Sequence, residues 1–141
     1  MFAAKAERKL SFEDIGKRIG HDEVYVAAMF YGQTKPSQEE LEKLSSVLNI
    51  PTSHLKEELG DQFFPDRGGL VDLPPSDPTL YRLLEIIKVY GYPLKAIIHE
   101  KFGDGIMSAI DFSAHVDKVP HPKGDRVKIT LEGKFLSFAK W

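Results

Sequence analysis

Tyr81-Arg82-Leu83-Leu84-Glu85-Ile86-Ile87-Lys88-Val89-Tyr90-Gly91-Tyr92-Pro93-Leu94-Lys95-Ala96-Ile97-Ile98-His99-Glu100-Lys101-Phe102-Gly103-Asp104-Gly105-Ile106-Met107-Ser108-Ala109-Ile110-Asp111-Phe112 is the stretch that decides the fold. It opens as a helix in which Leu83, Leu84, Ile86, Ile87, Val89 and Tyr90 leave almost no polar side. Into this apolar run are set two opposite charges, Arg82 and Glu85, at the i,i+3 spacing that lets side chains meet on one helix face. A helix apolar nearly all round is expected to be buried, so the charge pair is expected in an interior. Ionised groups there cost several kcal/mol unless they are paired or serve a purpose.

Working outward, Gly91-Tyr92-Pro93 reads as a turn that ends the helix, and Leu94 to Phe102 as a second helical segment. Gly103-Asp104-Gly105 closes that segment and tolerates positive φ. Beyond it the pattern changes to alternation: Ile110, Phe112, Ala114 and Val116, then Val127, Ile129 and Leu131, then Phe135, Leu136 and Phe138. This predicts three short strands separated by the Pro120–Asp125 loop and a turn at Glu132-Gly133-Lys134.

Upstream, Ser11-Phe12-Glu13-Asp14 has an N-cap followed by acids in the first turn, where the helix dipole favours them. Phe12, Ile15 and Ile19 continue at helical spacing, with Gly20 as the stop. A second helix is expected over Asp22 to Tyr31 with Val24, Ala27, Ala28 and Tyr31 inward. A third starts near Pro36 and packs through Leu41, Leu44, Val47 and Leu48, and Pro51-Thr52-Ser53 opens a short fourth. Leu59 to Thr79 is rich in Gly and Pro and reads as a connecting arm. Its Phe63, Phe64, Leu70, Val71 and Leu73 suggest that it lies on a surface rather than free in solvent. Asp77 or Thr79 then caps the central helix.

The fold class that follows is α+β: an N-terminal all-α, repressor-like helix-turn-helix bundle with its arm over residues 1–70, then a small α+β domain over 71–141. About 65 residues with an apolar helix and exposed strand edges have trouble closing a core alone. Partner copies are therefore expected to complete it, intertwined, with functional sites at the subunit interfaces.

Composition narrows the function classes. Of 141 residues 42% are apolar and 28% charged, with a net charge of −2, ordinary for a globular protein. There is no cysteine, so neither a disulfide framework nor a thiol nucleophile enters. No stretch reaches the ~20 apolar residues that span a bilayer, and the early charges at Lys5, Glu7, Arg8 and Lys9 do not suit a secretory leader. The cytosol is the default compartment, with no membrane partner expected. Residues 1–70 hold 9 Lys and Arg against 12 Asp and Glu, and residues 71–141 hold 10 against 9. Asp22 and Glu23 open the helix that would read bases, where phosphates would be repelled. Nucleic acid is therefore not the expected partner.

Asp77-Pro78-Thr79-Leu80-Tyr81-Arg82 with Glu85, Val89-Tyr90-Gly91, Leu94-Lys95-Ala96, and above all His99-Glu100-Lys101-Phe102-Gly103-Asp104-Gly105-Ile106 followed by Ser108-Ala109-Ile110 resemble the cyanase family, also called cyanate hydratase or cyanate lyase. Val127 to Phe135 resembles the family's C-terminal end. The resemblance is dense from residue 77 onward; in the first half the helical layout fits more than the residues do. It implies a decamer of five dimers that converts cyanate and bicarbonate into carbon dioxide and carbamate, the carbamate then giving ammonia and a second carbon dioxide. It implies neither metal nor organic cofactor, and an N-terminal bundle that looks like a DNA-binding domain without binding DNA. It assigns the catalytic roles to Arg82, Glu85 and Ser108.

Two small anions must be joined, and a guanidinium suits this because it keeps its proton and offers planar donors to carboxylate-like oxygens. Glu85 can orient Arg82 or move the proton that travels from bicarbonate to nitrogen; its protonation state is open, because burial would raise its pKa and Arg82 would lower it. Ser108 has no His-Asp pair at suitable spacing and reads as a binding group rather than a nucleophile. Without the resemblance, the Arg/Glu pair would be an ordinary structural ion pair and Ser108 an ordinary strand serine. The five histidines (21, 54, 99, 115 and 121) show no metal-ligand spacing, and His99 reads as a hydrogen-bonding group at a subunit contact. A repressor-like regulator that senses a small anion is the alternative function.

Overall fold

A computed structural model describes all 141 residues. Six helices come first: α1 (Phe2–Glu7), α2 (Phe12–Ile19), α3 (Glu23–Phe30), α4 (Gln38–Leu48), α5 (Thr52–Leu59) and α6 (Pro78–Phe102). Two strands follow, β1 (Gly105–Val119) and β2 (Arg126–Ser137), paired as one two-stranded sheet. No helix is long and apolar enough to cross a membrane. The chain forms two compact units, Met1–Gly68 with Ser113–Leu131, and Gly69–Phe112 with Glu132–Trp141. The outer part of the hairpin thus belongs with the bundle, whereas the sequence reading draws its boundary between residues 70 and 71.

In the first unit, local signals act where the sequence places them. Ser11 and Ser37 each form a capping box: Asp14 N–H donates to Ser11 Oγ at 3.0 Å and Glu40 N–H to Ser37 Oγ at 3.2 Å, while Asp14 and Glu40 accept from the cap amides. Each box satisfies two amides that the first helical turn leaves unpaired. Gly20 ends α2 at φ 84°, a left-handed conformation that costs glycine little. Ile15, Ile19, Val26, Met29, Phe30, Leu41, Leu44, Leu48, Leu55 and Leu59 form the core. All ten side chains of this core lie in helices α2 to α5.

The inward face of α3 corrects the sequence reading. Val26, Met29 and Phe30 are buried, while Tyr31 is 57% exposed. With Val24, Tyr25, Val26, Ala27, Ala28, Met29 and Phe30 in succession the helix has no polar face, so periodicity cannot select its register. The arm is also more exposed than expected. Phe63 packs against the core, but Phe64, Leu70 and Leu73 are open to solvent, Phe64 with Lys35 Nζ over its ring at 4.2 Å.

One polar cluster ties the outer hairpin to the bundle. His115 Nδ1 lies 2.6 Å from Asp22 Oδ2, at the N-cap of α3, and its Nε2 lies 3.2 Å from Asp117 Oδ1. Lys128 Nζ on β2 pairs with the other Asp117 oxygen at 2.7 Å. An imidazolium donates from both nitrogens, whereas a neutral ring donates from one and turns a lone pair towards the other carboxylate. Hydrogen bonding to Asp22 accordingly raises the His115 pKa, with the Asp22 and Asp117 charges adding to the effect. A raised folded-state value stabilises the fold fully below the unfolded value of about 6.5, and the gain is lost as pH rises through the raised value. Wild type should therefore melt above His115→Gln at pH 6, with the difference fading by pH 9. An equal difference at both pH values would show that the imidazolium contributes nothing.

In the second unit Asp77 caps α6, accepting from Thr79 N–H at 2.8 Å and Leu80 N–H at 2.9 Å, with Pro78 in the first turn. Two features depart from the sequence reading. Gly91-Tyr92-Pro93 makes no turn: α6 runs unbroken for 25 residues with Pro93 inside it. Proline removes one backbone donor and its ring crowds the carbonyl four residues back, here that of Val89, but the helix has enough other bonds to continue. Nor does Glu132-Gly133-Lys134 turn, because β2 passes straight through it and the expected three strands are two. Between helix and hairpin, Gly103 takes φ 89° and donates to His99 O, as its sequence suggests.

Candidate active site

All three residues singled out from the sequence lie in the second unit. Arg82 and Glu85 project from the first two turns of α6, where Arg82 Nη1 donates to Glu85 Oε2 at 2.8 Å. That bond uses one of the five guanidinium N–H donors, so the fork keeps most of its capacity for an anion. The expected burial of the pair is not met within one chain. The side chains are 70% and 46% exposed, and no residue of α6 is buried. The helix nonetheless carries Leu80, Tyr81, Leu83, Ile86, Ile87 and Val89, each at least 40% exposed. Such an apolar surface is uncommon on a monomer.

Ser108, on β1, is the one buried polar side chain, at 5% exposure. Its Oγ accepts from Ile110 N–H and from Asp111 N–H, both at 3.0 Å. A hydroxyl has two acceptor sites and one donor. With both acceptor sites filled by the backbone, Ser108 has only its O–H to offer, which makes it a donor to an anion and a poor nucleophile.

Phe138 N–H donates to Asp104 O at the base of the hairpin. In the run from Ser108 to Asp111, two amides donate to a side chain. Across from it, Gly133 lies so close that a Cβ there would overlap the Ser108 carbonyl oxygen and meet Met107 Cγ at 2.7 Å. Neither the two amides nor Gly133 is identified by the sequence reading, which takes Gly133 for a turn residue.

No three His, Asp or Glu side chains converge as metal ligands would. A groove of about 950 Å³ in the first unit is lined by residues of α2, of the α2–α3 turn and of the outer hairpin, among them His21, Asp22, His115 and Arg126. None of Arg82, Glu85 and Ser108 lines it.

Comparison with known proteins agrees with this layout. A family model described as the cyanate lyase C-terminal domain matches residues 72–140, and a helix-turn-helix model matches residues 3–55. The chain is 60% identical over 141 residues to a cyanate hydratase of Coprinopsis cinerea, covering all of this chain and 93% of that protein. It is 54% identical to a cyanate hydratase of Prochlorococcus marinus, again over the full chain and 94% of that protein. The crystal structure of cyanase from T. urticae superposes with a TM-score of 0.87 at 33% identity, over 99% of this chain and 96% of that one. With relatives this similar over its whole length, the chain belongs to the cyanate lyase family.

Proposed function

We propose that this cyanate-degrading lyase works by joining cyanate to bicarbonate at a site formed by Arg82, Glu85 and Ser108 where chains of a homo-oligomer meet. A bicarbonate oxygen attacks the cyanate carbon, and the bicarbonate proton passes to nitrogen. A second proton is taken up at the same nitrogen. The bond between the bridging oxygen and the former bicarbonate carbon then breaks, releasing carbon dioxide and leaving carbamate. Carbamate takes a further proton and falls apart to ammonia and carbon dioxide. Atoms and charge balance without an oxidant or reductant, and the reading invokes neither metal nor organic cofactor.

The observation that carries this reading is the donor-only Ser108 in the same unit as an Arg fork with free N–H groups. Two anions repel in water, and holding them in contact supplies a proximity term worth as much as ~7–11 kcal/mol when orientation is good. Donors aimed at the oxygens where charge develops add to it. Arg82 binds and neutralises charge, Ser108 donates a hydrogen bond, and Glu85 orients Arg82 and handles the proton bound for nitrogen. The uncovered apolar face of α6 supports burial of the site by partner chains, in an assembly that we take to be a decamer of five dimers in the cytoplasm. A repressor-like role gains no support, since Asp22 and Glu23 stand at the start of α3 and Asp22 is held by His115.

The test follows ammonia release from cyanate with and without added bicarbonate. Release that rises with bicarbonate and saturates is expected. A rate indifferent to bicarbonate would rule out the two-anion reaction.

A further inference from the structure

We infer that Gly133 is a positioning residue for the reaction, holding Ser108 as an obligatory hydrogen-bond donor through the run from Ser108 to Asp111. The inference rests on the role given to Ser108 above. Gly133 stands opposite Ser108 with no room for a side chain, since an added Cβ would run into the Ser108 carbonyl oxygen. That atom is backbone and cannot swing aside as a flexible side chain would. Any residue other than glycine must therefore push β1 away at Ser108 itself. The Oγ hydrogen bonds from Ile110 and Asp111, each at 3.0 Å, would lengthen with the shift. Once they weaken, the hydroxyl regains a lone pair, can turn its proton elsewhere, and no longer presents a fixed donor. Space, not conformation, sets the requirement: Gly133 is absent from the positive-φ glycines, whereas Gly103 and Gly124 are among them.

The same hairpin supplies a matched control. A Cβ at Gly105 would overlap Leu136 O and the Phe135 ring, an equal steric offence that is not placed against Ser108. Four variants separate positioning from general strain: Ser108→Ala, Gly133→Ala, the double variant, and Gly105→Ala. The readouts are kcat and KM for cyanate, with circular dichroism and oligomer mass for the fold. Removing one preorganised donor costs about 10²–10³-fold in kcat. Ser108→Ala and Gly133→Ala should each lose kcat in that range, and the double variant should lose no more than either alone, because both remove one interaction. Gly105→Ala should retain far more activity.

Losses that multiply in the double variant would overturn the inference, as would Gly105→Ala matching Gly133→Ala or a Gly133→Ala protein that does not fold. Full activity in Gly133→Ala beside an inactive Ser108→Ala would overturn the inference alone. Full activity in Ser108→Ala would instead remove the catalytic role of Ser108, on which the inference stands.

Discussion

Arg82→Lys is expected to lower kcat for cyanate by about 10²–10³-fold while leaving helix content and oligomer mass unchanged. Lysine preserves the positive charge, so a site that needed only a cation would tolerate it. What is lost is the planar fork, which binds Glu85 through Nη1 at 2.8 Å and still has N–H groups to place on a substrate carboxylate. An ammonium cannot hold Glu85 and two substrate oxygens in fixed directions at once. The substitution should spare the fold of the chain, since Arg82 is largely exposed and its ion pair is of the kind that contributes little to stability. Near-normal turnover in this variant would show that charge alone suffices and that the fork has no role.

Ile87→Asp should have an effect of similar size through a different route. Ile87 lies in the first half of α6 and is 57% exposed in the isolated chain. The helix is apolar on nearly every side, so packing against partner chains would place an aspartate there in a desolvated contact, at a cost of several kcal/mol. The assembly should dissociate towards the 15.9 kDa monomer, and ammonia release should disappear with it. Part of the α-helical circular dichroism should go too, because no residue of α6 is buried within the chain itself. An assembly of unchanged mass and activity would mean that this face of α6 meets no partner.

The sequence was informative wherever a local rule acted alone. Ser11 and Asp77 cap the helices they precede, and Gly20 and Gly103 end helices in the conformation that favours glycine. It was misleading where two rules competed. Gly91-Tyr92-Pro93 carries strong turn residues, but proline forfeits a single helical bond and α6 runs through it. Glu132-Gly133-Lys134 has the composition of a turn as well, yet its glycine answers a steric demand from the opposite strand, which no pattern within β2 records. Helix α1 has no side-chain cap to announce it in the sequence.

The site shows the same division. The i,i+3 spacing of Arg82 and Glu85 foretells their hydrogen bond. The environment of Ser108 could not be foreseen, since it depends on two amides downstream and on a residue 25 positions away in the chain. Burial of the charge pair was inferred from an apolar helix, which is sound as chemistry but silent about which chain does the burying. Within one chain that burial is missing, so on this account it comes from the partner copies.

The proposed site lies where chains meet, so Arg82 and Ser108 are expected to reach it from different copies, and mixing inactive chains tests this most directly. Arg82→Lys and Ser108→Ala proteins would be unfolded, combined in equal amounts, refolded together, and assayed for bicarbonate-dependent ammonia release beside each parent refolded alone. The account predicts that the mixed assembly regains activity well above either parent, because some sites receive an intact Arg82 from one chain and an intact Ser108 from another. Mixed assemblies of full mass, shown to contain both chains and yet no more active than the parents, would contradict it.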